Sequence, residues 1–372
     1  MIGDTHRVAL RFDDAYEVVA AVLSSDPRRS LKAGQLFGIP RPYGTIEEML
    51  RSESLRPDGC DVVAIMTPND SHFPVCLLVL EAGFHVICDK PITNNLSEAL
   101  DLLRCSKKNN RRVCITYNYS GYPMIRQARS MISAGEIGRP HLVEVRYAQG
   151  NLGTLVESDS DSLSPQLRWR LDPKRGGETG VLLDVGTHAF HLTEYVTSLD
   201  FISVFADIGA AVAGRTIPDS ATILARLRGG VRTVIQASKA ATGAPNIFDI
   251  SVFGSLGGLA WRQSEPNTLR IYRQEQPIQE LHRGVKNLSD LAKRSLRSPT
   301  PHPEGFREAF ANIYSDFASV IATDLAGRAP DEHCLTFPSI SDGVRGLATV
   351  EACRMSAHEC RWIDVQSLED MA

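Results

Sequence analysis

"VICDKPITNN", residues 86–95, is the stretch on which the fold turns. Val86, Ile87 and Cys88 make an apolar run suited to a buried strand. Asp89 and Lys90 follow at once, and Pro91 removes the backbone donor that regular pairing would need. Similar runs stand on either side: "YEVVAAVLS" (16–24), "DVVAIMT" (61–67) and "RVCITYN" (112–118). Near-continuous apolar runs suit strands covered on both faces, as in a parallel sheet. Helical patterns lie between them. Ile46, Met49 and Leu50 keep helical spacing behind a capping box of Thr45 and Glu48. Val75, Leu78 and Val79 repeat it before Gly83, and Leu96, Ala99, Leu100 and Leu103 repeat it again. Strands alternating with helices at this pitch predict an α/β doubly wound parallel sheet. Ligands of such sheets bind beyond the carboxyl ends of the strands, where Lys90 and "TPNDSH" (67–72) fall. On composition alone Lys90 is equally well a lysine in a surface turn.

The chain has 372 residues, enough for two domains. Past residue 120 the pattern changes. "HLVEVRYAQG" (141–150) and three later segments between 221 and 274 read as strands, with glycine pairs at 229–230 and 257–258 as hairpin turns. The expectation is a cofactor-type domain over 1–120 and an α+β domain with a mostly antiparallel open sheet over 121–372. Residues 275–303 read as an exposed polar excursion, a helix resumes near 304–325, and the acidic stretch 157–161 reads as an exposed loop.

A net charge of -4 gives no basic excess for nucleic acid or a membrane surface, and no apolar run reaches the ~20 residues of a span. The eight cysteines form no CxxC pair, which fits a reducing cytoplasm better than disulfides or zinc.

A second cluster is "GGETGVLLDVGTHAFHLTEYVTSL" (176–199). Asp184, His188 and His191 stand at i, i+4 and i+7, one face of a helix. Gly186 between them weakens a helix by ~1 kcal/mol, which suits a close approach of backbone or ligand. Three readings fit. The residues are a solvated polar face, a carboxylate–histidine metal set, or part of an acid/base site. Hydride removal from a secondary alcohol needs a base near neutral pKa, and a nearby ammonium favours the alkoxide. Lys90, Asp184 and His188 would supply that set.

The two clusters together resemble the Gfo/Idh/MocA family of nicotinamide-dependent oxidoreductases. The family's Glu-Lys-Pro motif stands here as Asp89-Lys90-Pro91, and its Asp-x-Gly-x-His motif as Asp184, Gly186 and His188. "TPNDSH", "TYNY" around Asn118, "LRWRLDP" (167–173) and "FGSLGGLAWRQSEPN" (253–267) extend the resemblance over nearly the whole chain. It implies a Rossmann domain with a C-terminal open-sheet domain, a sugar, inositol or related polyol as substrate, and a homo-oligomer. It implies Lys90 and His188 as the catalytic pair, the latter as acid/base, with Asp184 holding substrate or the histidine ring. Tyr122, Trp169, Arg170 and His191 would line the substrate pocket. Thr67, Pro68, Asn69, His72, Asp89, Lys90 and Asn118 would meet the cofactor, and a cis Lys90–Pro91 bond is expected.

Two departures stand out. The second strand ends in Ser24 and Ser25, with Asp26 late and Arg28 and Arg29 following, where NAD folds carry an acid for the ribose. Either NAD or NADP fits. The family also opens with a strand and a G-x-G-x-x-G turn, whereas "MIGDTHRVAL" starts at what looks like the end of that turn, with Gly3 as its last glycine. The expected structure has a gap, or a closed-up sheet, where the first strand belongs, and the polypeptide is expected to start upstream. A sensor that binds sugar or cofactor without catalysis, and a metal-dependent lyase or isomerase, are the rival readings.

Overall fold

The computed structural model describes residues 2–158, 163–300 and 302–371. Helix α1 (Ile2–Ala9) leads to β1 (Ala20–Ala21), α2 (Pro27–Leu36) and β2 (Arg41–Pro42). Then come α3 (Ile46–Glu53), β3 (Val62–Ile65), α4 (His72–Glu81), β4 (His85–Cys88), α5 (Leu96–Lys108) and β5 (Val113–Ile115). The Thr45 hydroxyl caps α3 by accepting from Glu48 N at 3.2 Å, while the Glu48 carboxylate reaches back to Gly44 N. Gly83, at φ 87°, ends the turn after α4. The buried face of α4 is Cys76, Val79 and Leu80. Leu78, expected on that face, is exposed instead.

All pairing among these five strands is parallel, and it falls into two pieces: β1 with β2, and β3-β4-β5 in order. Among the described residues no strand joins β1 to β3, so the sheet has an open seam there, as the sequence predicts. The runs at 16–24 and 112–118 shrink to two and three paired residues.

The second half is α6 (Pro123–Ser133), β6 (Pro140–Ala148), α7 (Pro165–Arg170), α8 (Pro173–Gly176), α9 (Thr187–Thr197), β7 (Phe201–Gly209), β8 (Ser220–Leu227), β9 (Val231–Ser238), β10 (Ile247–Gly254), β11 (Gly257–Arg262), β12 (Thr268–Tyr272) and β13 (Gln279–His282). Short α10 (Asp290–Lys293), long α11 (Phe306–Leu325) and α12 (Ile340–Glu359), and β14 (Ile363–Asp364) follow. The nine strands order as β13-β12-β11-β10-β6-β9-β8-β7-β14, antiparallel except for β6 beside β9. Helices α6, α9 and α12 cover one face. Alternation along β8 and β9 puts Ala221, Ile223, Ala225, Thr233 and Ile235 under them and leaves Thr222, Leu224 and Arg232 outside.

Three expectations are corrected here. Gly229 and Gly230, both at φ near 80°, do form the β8–β9 turn, but Gly257 and Gly258 begin β11, and the turn before it is Ser255–Leu256. Residues 275–303 are not simply exposed. They contain β13 and α10, they bury Leu288, Leu291 and Ala292, and Arg283 meets Glu304 at 3.1 Å in the interior. Of the acidic stretch, Glu157 is bound by Arg215 at 2.8 Å, while 159–161 lie outside the described residues.

The late helices return to the first sheet. Phe310, Ile313, Tyr314 and Phe317 of α11 pack with Ala9, Leu10, Ile87 and Cys114. Gly121 lies directly against α11, where an added Cβ would overlap the Ala309 carbonyl. The turn holding Asn118 is thereby fixed in place.

Candidate active site

The chain leaves β4 through Asp89, whose carboxylate accepts from Lys90 N at 3.0 Å and from the Thr116 hydroxyl at 2.8 Å. This ties the exit of β4 to the exit of β5. The Lys90–Pro91 bond is cis. His72 is buried, with Nδ1 2.7 Å from the Pro91 carbonyl and Nε2 2.9 Å from that of Thr67. It therefore staples two loops together rather than facing a ligand, a correction to its expected cofactor contact. Asn69 reaches the cleft.

Lys90 Nζ donates to Asp184 Oδ1 at 2.8 Å and also to the Asp184 backbone carbonyl. The other carboxylate oxygen, Oδ2, takes the ammonium of Lys239, which follows β9 and is buried. Arg170 Nε stands 3.9 Å from that same oxygen and its guanidinium covers the Trp169 ring. Burial pushes the Asp184 carboxyl up, but Lys239 and Lys90 outweigh it and hold the group ionised, well below the usual carboxylate range. Trp169, Arg170, Gly176, Gly180, Asp184 and Lys239 line the cleft, as expected for the first two.

Asp184 lies in a π-helical turn, Leu182–Gly186, that runs into α9. One residue is gained in the turn, so Asp184, His188 and His191 do not share one α-helical face. Gly186 belongs to this turn, where an added Cβ would sit 3.1 Å from Leu182 Cδ2. His188 points into a cage of tyrosines, 5.0 Å from the Tyr119 ring centre, 5.7 Å from Tyr117 and 5.9 Å from Tyr147. Tyr119 and Tyr147 share a hydrogen bond of 2.8 Å. Burial, then the Lys90 charge, pushes the His188 imidazole well below its ordinary pKa, so it is neutral at pH 7. Among the described residues its Nδ1 is enclosed without a partner, and so is the Nδ2 of Asn118 at the exit of β5.

Two pocket residues move out of the site. Tyr122 is packed between Tyr119 and Trp261, because its ring completes the core under β11. His191 stacks on Tyr117 at 4.5 Å, in the interior. The metal reading fails on the same geometry. Both Asp184 oxygens hold ammonium groups, and among the described residues no three His, Cys, Asp or Glu side chains stand together as a metal site.

The remaining expected cofactor residues border the parallel sheet. Gly3 lies beside Met66 at the end of β3, an added Cβ coming within 3.4 Å of its sulfur. Thr67, Pro68, Asn69, Asp89 and Asn118 follow the ends of β3, β4 and β5. Asp26 accepts from Arg29 N at 2.8 Å and so caps α2, while Ser25, Arg28 and Arg29 are exposed beside Ser24. Asn118 offers an unpaired donor at the carboxyl edge where a dinucleotide binds in such sheets, so the residues present fit one.

Sequence comparison matches residues 1–117 to the oxidoreductase family's NAD-binding Rossmann fold and 125–260 to the GFO/IDH/MocA C-terminal domain. The oxidoreductase YfiI of Bacillus subtilis is 32% identical over 365 residues, 96% of this chain and 92% of that protein. The D-apiose dehydrogenase of Paraburkholderia graminis is 27% identical, over 98% of this chain and 87% of its own length. An inositol dehydrogenase homologue from Azotobacter vinelandii, solved with NAD+, superposes with a TM-score of 0.91 at 35% identity, covering 98% of this chain and 94% of that one. The chain belongs to the Gfo/Idh/MocA family. It is an oxidoreductase with an NAD-binding Rossmann domain joined to a mostly antiparallel sheet domain.

The enclosed His191 yields a test. Burial lowers its pKa to about 4. As pH falls from about 6.5 to about 4, the unfolded chain takes a proton that the folded one refuses, so stability is lost in that window, by at most ~1.4 kcal/mol per pH unit. In His191→Phe, which keeps a ring against Tyr117, urea unfolding at pH 7.5 and pH 5 will differ less than in the wild type. An unchanged difference would place His191 in contact with solvent.

Proposed function

We propose that the protein oxidises a CH–OH group of a sugar, inositol or related polyol, or reduces the corresponding carbonyl, with a nicotinamide dinucleotide. The observation that carries this reading is the meeting of Lys90, Asp184 and a neutral, enclosed His188 where the two sheets join. The solved Azotobacter vinelandii homologue with NADH and myo-inositol, 33% identical at a TM-score of 0.87, supports the substrate class.

Residues 1–120 hold the cofactor, and 121–372 supply the substrate site and subunit contacts. Gly3, Thr67–Asn69, Asp89, Lys90 and Asn118 border the nicotinamide dinucleotide, which when bound supplies the hydride acceptor. In oxidation the carbinol carbon loses a hydride and the hydroxyl loses a proton, leaving a carbonyl. His188, uncharged at rest, takes the proton. Lys90 stabilises the developing alkoxide, and Asp184 orients Lys90. Trp169 and Arg170 lie over the substrate. A non-catalytic sensor would not need a buried ammonium held against a carboxylate beside an uncharged base. The eight cysteines are all unpaired, which supports the cytoplasm as the compartment, and among the described residues no helix is long and apolar enough to cross a membrane. Cell fractionation tests that placement.

Lys90→Ala is expected to lower kcat by ~10²–10³ with the fold intact, the scale of a lost oxyanion donor. A change under about threefold would make Lys90 structural. For oxidation the acid limb of kcat/KM will lie below pH 6.5, since the base stays unprotonated until its lowered pKa is reached. His188→Asn will remove that limb, and a limb at or above 6.5 in the wild type would exclude His188 as the base.

The relatives solved with NAD favour NAD, while Ser24, Ser25 and Arg29 leave room for a 2′-phosphate. Arg29→Ala should weaken NADP about tenfold and leave NAD within about twofold, measured by calorimetry. Equal losses would show that Arg29 does not read the 2′ position.

The outer face of the nine-stranded sheet leaves Ile202, Leu224 and Trp362 exposed, which supports a homo-oligomer built on that face. Sedimentation at micromolar concentration will show more than one subunit, and Leu224→Glu will shift the distribution toward monomer. A wild type that is monomeric would overturn this.

A further inference from the structure

Lys239 carries a charge that the reaction above does not use. It ends β9 as Lys90 ends β4, and only 5% of its side chain is exposed, against 14% for Lys90. Among the described residues both ammonium groups pair with one carboxylate, that of Asp184. Two cations therefore share one anion, and Arg170 Nε lies 3.9 Å from the same Oδ2.

Among the described residues, the other charges lining the cleft do not cancel the excess. Arg215 lines the cleft too, but Asp219 at 2.7 Å and Glu157 at 2.8 Å already neutralise it. Those acids are engaged and unavailable to Lys239. A buried ammonium that shares its counter-ion with a second cation carries a desolvation cost that a bound anion offsets. Hydrogen-bond chemistry points the same way. Lysine ammonium groups and arginine only donate, and both Asp184 oxygens are occupied. A polyol hydroxyl seeking an acceptor there would have to share a carboxylate oxygen that already holds an ammonium group. A carboxylate brings acceptors and no donors.

We propose that the cleft selects a carboxylate-bearing polyol, such as a sugar acid or a hydroxylated cyclic acid, whose carboxylate binds the Lys239 ammonium while its reacting CH–OH lies toward Lys90 and His188. This rests on the oxidoreductase reading and narrows its substrate class. Lys239 is then a specificity residue, reached from the antiparallel sheet, opposite the catalytic lysine reached from the parallel one.

The test uses matched compounds: D-glucuronate, D-gluconate and quinate against D-glucose, D-glucitol and myo-inositol, with glucose 6-phosphate as a second anion. Turnover is followed with NAD and NADP, and binding by calorimetry, for the wild type, Lys239→Met and Lys239→Arg. At least one acid should exceed its neutral counterpart by about tenfold or more in kcat/KM or affinity. Lys239→Met should bring that ratio near one, chiefly through KM, and Lys239→Arg should restore part of it. A neutral polyol preferred over its acid, a preference that survives Lys239→Met, a preference for the phosphate ester, or no binding by any acid would each overturn the proposal. An acid that binds through Lys239 but is never oxidised or reduced would uphold the charge selection and overturn the oxidoreductase reading. Turnover of neutral polyols alone would do the reverse.

Discussion

Asp184 is held from both sides, by Lys90 at the end of a parallel strand and by Lys239 at the end of a strand in the large sheet. That shared carboxylate ties two sheets with different topologies at one point, and the site is assembled around it. With either lysine gone, Asp184 would keep one counter-ion. With Asp184 gone, two ammonium groups would face each other across a cleft with little water to screen them. Asp184 is therefore the member that the set depends on, and the placement of Lys90 depends on the second sheet as well as on its own strand. Asp89, His72 and Thr116 fix the backbone from which Lys90 departs, so the side chain has little freedom to leave.

The π-helical turn at Leu182–Gly186 decides how the three polar residues of the following helix divide their work. In a regular helix Asp184, His188 and His191 would line one stripe, and all three would meet the same environment. The extra residue in the turn breaks that stripe. Asp184 goes to the lysines, His188 to the tyrosine cage and His191 to the far side of Tyr117. Two electrostatic states result: an anion kept ionised by cations, and two imidazoles kept neutral by burial. A charged carboxylate and an uncharged imidazole thus stand only four positions apart in the chain.

How much of this can be read in the residues themselves depends on the range of the signal. Lys90 is legible because an apolar strand, a charge and a proline lie side by side. The parallel sheet is legible from its near-continuous apolar runs, and Trp169 and Arg170 follow from a motif. Lys239 ends its strand in the same manner, within "IQASKAATG", but the small residues around it hide a buried charge whose partner is 55 positions away. Tyr122 and His191 are pocket residues by the family resemblance, and only packing against Trp261 and Tyr117 reveals them as core. The π turn leaves no periodic trace over so short a stretch beyond Gly186.

The seam in the parallel sheet shows which part of the cofactor domain depends on pairing and which on packing. The edges of β1 and β3 that face it have no ladder partner among the described residues, and unpaired edges are the weakest part of any sheet. The three strands that carry Asn69, Lys90 and Asn118 nevertheless keep their register. Their support comes from elsewhere. Helix α11 presses Phe310, Tyr314 and Phe317 onto Ile87 and Cys114, the Tyr16 hydroxyl donates to the Tyr314 carbonyl at 2.9 Å, and the His6 ring meets the Tyr314 hydroxyl at 2.7 Å. A helix from residues 306–325 thus backs the strands that deliver Lys90. The Lys90 end of the domain is anchored to the late helices and the second sheet, whereas the other end, β1 and α2 with Ser24 and Arg29, is joined to the rest mainly through β2 and α3. Local stability should follow that division, high around Lys90 and low around Arg29, because buried apolar contact rather than strand pairing is what crosses the seam.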